Sequence, residues 1–368
     1  MVLSRRTLLA AVAGAAGCGR AIRFIGGSVY VANRDSRSVA ALDLGRLTVS
    51  HRVALGASPT HLFAHPEQPL LYALASAEGM LFVLDLPRLT VRRTIRFDGP
   101  VRGAHLGGAG AWLAMARAQP AALVIVDMNS ERRHEISLPG VPGSLAVHDG
   151  MAAITLPELA EVALANIGAR RLEARVATGA APGSVCFRPD GRVVIAGNRA
   201  DRTLSLIDIA SRSVIAHLPL ALEPQHFCFK SDGGILYVTG PGLDAVSVIY
   251  PYRHIVAETL LAGRTPGAMA VTTSAPEFLF VANAESGDVT ILRIRSSRVA
   301  AVVAVGAEPG HIMITPDDQY ALVLNRRSGD VAVIDVAALD ERRGRPAPPP
   351  LFTMIPVGLT PVSAVFHA

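Results

Sequence analysis

Tryptophan occurs once in the 368 residues, as Trp112, and aromatic residues make up only 5% of the chain. A single tryptophan excludes folds that dock each repeated unit with one. Cysteine is almost as scarce, at Cys18, Cys186 and Cys228. No Cys-x-x-Cys-His run is present, which excludes c-type haem attachment, and no zinc-knuckle spacing occurs. Charge is low at 18% of residues. The 35 basic against 30 acidic side chains leave a net +5. Nearly all the cations are arginine, a bias that a GC-rich genome produces and that does not by itself indicate nucleic acid. What the chain has instead is apolar residues, 50% of the total with a mean hydropathy of +0.37. That supply builds a large core and excludes global disorder.

The N-terminus carries Ser4-Arg5-Arg6-Thr7-Leu8-Leu9, which resembles a twin-arginine export signal. The uncharged stretch Thr7 to Gly17 suits a signal h-region and is too short to span a bilayer. It closes on Ala15-Ala16-Gly17-Cys18, which looks like a lipobox with Cys18 as the lipid acceptor. The alternative is an ordinary cleaved signal with an incidental cysteine. Either way residues 1–20 form a leader, and residues 21–368 form one periplasmic or extracytoplasmic domain, touching a membrane only through a lipid. Twin-arginine transport usually carries proteins that fold, or load a cofactor, before crossing. The remaining pair, Cys186 and Cys228, falls at equivalent positions of neighbouring repeats. Such strands are not hydrogen-bonded partners, so two buried free thiols are expected.

The dominant signal is a repeat of about 42 residues. A proline among small residues recurs at Pro59, Pro100, Pro142, Pro182, Pro224, Pro266, Pro309 and Pro361. The last interval is longer because Asp340 to Pro350 is an inserted Pro-rich loop. After each proline come a short apolar run, a turn such as Arg188-Pro189-Asp190-Gly191, and three further β-rich runs. In one unit these are Phe278 to Asn283, Val289 to Ile294 and Val299 to Val305. Four short strands per unit without helical periodicity describe an all-β fold, a β-propeller. The count is eight blades, with the last one shared between the chain ends: Val29 to Asn33, Val39 to Leu44 and Val49 to Leu55 from the N-terminus, and Val362 to Phe366 as inner strand. Ala21 to Ile25 is a competing inner strand. The weak repeat from Met151 to Val176 leaves seven blades as the fallback.

Val29-Tyr30-Val31-Ala32-Asn33, Leu236-Tyr237-Val238-Thr239 and Phe280-Val281-Ala282-Asn283, with Ser205-Leu206-Ile207-Asp208 and Val331-Ala332-Val333-Ile334-Asp335, resemble the repeats of YVTN-type, YncE-like propellers. The resemblance runs from about residue 29 to 368. That superfamily includes surface-layer proteins, the d-type haem domain of cytochrome nitrite reductases and propeller lactonases, so it implies fold more than function. Quinone-dependent alcohol dehydrogenases share the eight-bladed count but need the repeated tryptophan that is missing here. In the motif itself, the asparagine suits a tight turn and the aspartate ties down backbone amides.

In a propeller the turn between the second and third strands shares a face with the crossing to the next blade. The residue two after each proline falls there, near the channel mouth: His61, Arg102, Ser144, Ser184, His226, Ala268, His311 and Ser363. His61 and His226 stand four repeats apart, across the channel, with His311 midway. Histidines on opposite walls are badly placed to share one zinc ion, and a broad flat ligand suits them better. The second-to-third strand turns add Asn33, Arg34, Arg37, Asn198, Arg199, Arg202, Asn325, Arg326 and Arg327, and converging arginines attract carboxylates or an acidic partner. Tyr30, Tyr72, Tyr237, Tyr320 and Phe24 are expected to be blade packing.

No nucleophile and base constellation is recognisable. The leading expectation is therefore an exported, non-enzymatic binding or scaffold protein. Its partner would be an envelope protein or an anionic small ligand, not nucleic acid, and its ligand-binding residues His61, Arg102, His226, His311, Arg34, Arg199 and Arg326. The resemblance adds two alternatives: a haem-type macrocycle held among the histidines, or a lactonase, against which the eight blades weigh.

Overall fold

The computed structural model describes residues 27–86, 88–339 and 349–367. The leader with Cys18, the run Ala21 to Ile25 and residues 340–348 of the Pro-rich insertion lie outside them. The described residues form eight antiparallel sheets of four strands each, a β-propeller. Along the chain the blades are 1 (61–96), 2 (101–137), 3 (145–177), 4 (182–219), 5 (226–261), 6 (266–304), 7 (309–356), and an eighth that joins the two ends. The repeat around Met151–Leu156 is a complete blade, so the count is eight and not seven.

Blade 8 takes its inner strand, Pro361–His367, from the C-terminus and its outer three, Ser28–Asn33, Ser38–Asp43 and Thr48–Ala54, from the N-terminus. Val29 lies opposite Phe366 and Tyr30 opposite Val365. The closure leaves no open edge in the ring.

Burial follows the strand's place in its blade. Second and third strands read as unbroken apolar runs because both their faces are covered by neighbouring blades, as in Val193–Asn198, buried at every position. Fourth strands meet solvent on one side and alternate, as in Ser213–Pro219. Inner strands are mostly half-buried beside the channel. In seven blades the pairing of third and fourth strands slips by one residue, for example between Leu206 and Ile207. Such a bulge increases local twist, which a blade needs to fan outward. Blade 2 pairs without the slip.

The core is divided into eight apolar clusters, one between each pair of neighbouring blades. Tyr30, Tyr72, Tyr237 and Tyr320 are all buried within them, as blade packing requires. Cys186 and Cys228 are free thiols in neighbouring blades, and burial pushes both pKa values up to about 12. Phe280, fully buried between blades 6 and 7, is a direct probe of this interface. Phe280→Ala is expected to cost about 3–5 kcal/mol in chemical denaturation, the range for deleting a buried ring, with the slope unchanged.

Candidate functional site

The asparagine that ends the second strand is scaffold rather than site. Asn33, Asn198, Asn283 and Asn325 are wholly buried. Asn198 donates from Nδ2 to the Ser205 and Thr203 hydroxyls, Asn283 to Thr290 Oγ1, and Asn325 to the Val305 carbonyl. Each amide lies under the glycine of the crossing that enters its own blade: a Cβ on Gly179, Gly263 or Gly306 would come within 2.6–2.7 Å of the asparagine nitrogen. Where the asparagine is replaced, by Ala75 in blade 1, the corresponding Gly56 has open space around it. The asparagines expected on the ligand face are therefore turned inward, because a buried amide with polar partners fixes the crossing. The aspartates behave as expected: Asp208 Oδ1 accepts from the Ser211 amide, and Asp127 Oδ1 from those of Asn129 and Ser130. These bonds hold both carboxyls below the usual range.

Crossings held in this way carry the inner-strand residues to the channel mouth, and hydrogen bonds lock neighbouring blades there. Ser184 Oγ donates to the Gln225 carbonyl, Thr155 Oγ1 to Gly183, Thr239 Oγ1 to Gly267, and the Leu62 amide to Ser363 Oγ.

His61, His226 and His311 come from blades 1, 5 and 7. His61 is held at one nitrogen, Nδ1, by Thr60 Oγ1 at 3.0 Å, and its ring stacks on Phe63 at 6.5 Å between centroids. Its Nε2 remains open, and so do both ring nitrogens of His226 and His311, which have no hydrogen-bond partner among the described residues. Protein surrounds all three rings, although His61 keeps an exposed edge and His226 and His311 are only half-buried. That partial desolvation lowers their pKa values, His311 to about 4. Arg326 depresses His226 and His311 further, and His61 adds to the depression at His311. One cation therefore acts on two histidines two blades apart, and His61 acts on His311. All three shifts favour the neutral imidazole.

The arginines divide. Arg326 folds over the inner strand, where a Cβ on Gly310 would meet its Nε at 2.2 Å, and it donates from Nη2 to the Gly310 carbonyl. Its Nε is buried without a partner, while Glu308 stands 4.0 Å from Nη1. Arg199 lies across Gly183 in the same way. Arg34 is held outward on the rim by Asp35 at 2.9 Å. Arg102 is exposed and has no ion pair among the described residues. Sequence reasoning missed Glu308 and the glycines that let Arg199 and Arg326 lie flat; the signal was the Pro-Gly at Pro182-Gly183 and Pro309-Gly310. Among the described residues, no three His, Cys, Asp or Glu side chains are grouped to hold a metal ion.

His311 makes stability depend on pH. The unfolded chain protonates this ring near pH 6.5, the folded chain only near 4, so the unfolded state binds more protons between the two values. Stability is expected to fall by up to about 3 kcal/mol as pH drops from 7 to 4, and His311→Asn to flatten that slope, measured by urea unfolding at each pH.

The fold and the ring of histidines and arginines define a propeller with a polar channel mouth. The chain belongs to the YNCE-like β-propeller family, whose model matches residues 154–346. Among solved structures it is similar to the dihydro-haem d1 dehydrogenase NirN in complex with DHE, at 17% identity and a TM-score of 0.75, over 92% of this chain and 74% of that one. It is also similar to hydrazine synthase of Kuenenia stuttgartiensis, at 19% and 0.61, over 77% and 96%. A functionally unknown protein from Desulfotomaculum acetoxidans is similar at 14% and 0.58, over 77% and 98%. At these identities the likeness is one of fold. No curated protein matches the sequence.

Proposed function

We propose that this protein is an exported, non-enzymatic binding propeller whose channel mouth takes a broad anionic ligand. The observation that carries the reading is the open set of ring nitrogens, both on His226 and His311 in the field of Arg326 and Nε2 on His61. Neutral imidazoles offer hydrogen bonds in any direction, and Arg326 and Arg199 supply the positive charge at the wall. An arriving carboxylate raises the histidine pKa values, so binding draws in protons. Export rests on the twin-arginine-like leader, and anchoring on Cys18.

A second reading, in which opposed histidines would hold a haem-type macrocycle, is favoured by the four-blade separation of His61 and His226. NirN, complexed with DHE, shares the fold. The two readings separate with metal-free uroporphyrin, a flat polycarboxylate, beside haemin, in absorbance titrations of the purified chain. Binding of both supports the anion site; binding of haemin alone, with a shift of its visible bands, replaces it with iron ligation; binding of neither overturns the site.

A further inference from the structure

On the opposite face of the ring, between blades 2 and 3, lies a cleft of about 830 Å³. Neighbouring blades are bridged elsewhere by polar or cation–π contacts: Arg93 to Glu131 joins blades 1 and 2, Arg212 to Glu173 blades 3 and 4, Arg188 over the Tyr252 ring blades 4 and 5, and Lys230 to Glu277 blades 5 and 6. Among the described residues no hydrogen bond or ion pair bridges blades 2 and 3 on this face. Gly107, Gly108, Gly150 and Gly168 line the cleft with backbone, and the outer strand of blade 2 lacks the bulge of the other blades.

The chain's one tryptophan forms a wall. The Trp112 indole lies against the Gly107–Gly108 backbone, so closely that a Cβ on Gly107 would meet the ring at 2.2 Å. His105 stands beside it, 6.0 Å between centroids and tilted by 38°. Ile125, Val147 and Ile167 give an apolar floor. Two acids also line the cleft: Asp127, which accepts its own turn amides and stands in the field of Arg132, and Asp149, exposed beside His148. Arg170, at the rim on the blade 3 side, has no side-chain ion pair or hydrogen bond among the described residues.

We propose that this cleft is a second binding site, taking a flat aromatic anion: the ring lies on the apolar floor against Trp112, and Arg170 and Arg132 take the carboxylate or sulfonate. The volume suits a small organic molecule. Stacking supplies the aromatic preference and the guanidinium fork the preference for an oxyanion.

Trp112, the chain's one tryptophan, lines this cleft and supplies the readout, and the variants make the test local. Anilinonaphthalene sulfonate is titrated into the full chain while tryptophan quenching and probe emission are followed. We expect saturable, one-to-one binding, weakened at least about tenfold by Arg170→Ala and abolished by Gly168→Phe. A Cβ at Gly168 has only an ordinary contact, 3.6 Å from Asn166 Oδ1, so that variant fills the cleft without backbone strain. Non-saturable quenching, or equal affinity in wild type and Arg170→Ala, overturns the proposal. Should Gly168→Phe melt earlier than wild type, Arg170→Ala alone decides.

Discussion

A chain ending at Leu359 is expected to lose cooperative folding. Removing the last nine residues deletes the inner strand of blade 8, against which Ser28–Asn33 pair from Ser28 opposite His367 to Asn33 opposite Pro361. It also deletes the Thr360 carbonyl that accepts from the Arg34 amide, the Thr360 hydroxyl on Asp35, and Ser363 Oγ, which ties blade 8 to blade 1. Val362 and Val365 leave the core between blades 8 and 1, and Ala364 and Phe366 that between 7 and 8. Losing even one large buried side chain costs about 2–5 kcal/mol, and a whole domain is stable by only about 5–15. Two adjacent cores and one complete ladder together exceed that margin. Circular dichroism during heating is expected to show a broad, non-sigmoidal loss of structure, and gel filtration self-association through the exposed edge. A truncated chain that melts sharply within a few degrees of the full one would show that the ring does not depend on its closure.

Arg326→Gln is expected to act on two histidines at once and on the ligand. Arg326 lowers the pKa of both His226 and His311. Removing the positive charge removes like-charge repulsion of each imidazolium, so both pKa values rise toward 6.5, the burial component remaining. In an NMR titration of the ring protons both resonances are expected to shift their midpoints upward, with His61 little affected. The same variant removes the wall cation nearest the histidines, and binding of a flat polycarboxylate is expected to weaken about 10- to 100-fold, the cost of one charge-assisted contact. The hydrogen bond to Gly310 is lost as well, so thermal unfolding is compared alongside. Midpoints that stay in place, with affinity unchanged, would place Arg326 outside the site.

The architecture was legible because each blade repeats the same physical problem. A proline marks the crossing, two doubly covered strands read as continuous apolar runs, and the outer strand alternates. Those patterns gave the four strands per unit and the shared eighth blade. Blade 3 read weakly because a short turn, Pro157–Leu159, stands where four other blades end their second strand in asparagine. The histidine positions were also legible, since they follow the proline at fixed spacing. The direction of the side chains was not. Whether Asn198 faces the ligand or the crossing depends on Gly179, 19 residues earlier. Whether an arginine lies on the wall or the rim depends on a partner elsewhere: Gly183 and Gly310 draw Arg199 and Arg326 inward, and Asp35 holds Arg34 outward. The cleft beside Trp112 was invisible for a further reason, because four glycines line it with backbone.

The most direct test of the channel-mouth site is the affinity for metal-free uroporphyrin between pH 8 and pH 6, in wild type and in the His226→Ala/His311→Ala double variant. We expect wild-type affinity to rise as pH falls, because bound carboxylates draw protons onto the depressed histidines. The double variant is expected to bind more weakly, with a flat profile. Identical profiles in the two proteins, or wild-type affinity that falls as pH falls, would contradict an anion site built on these histidines.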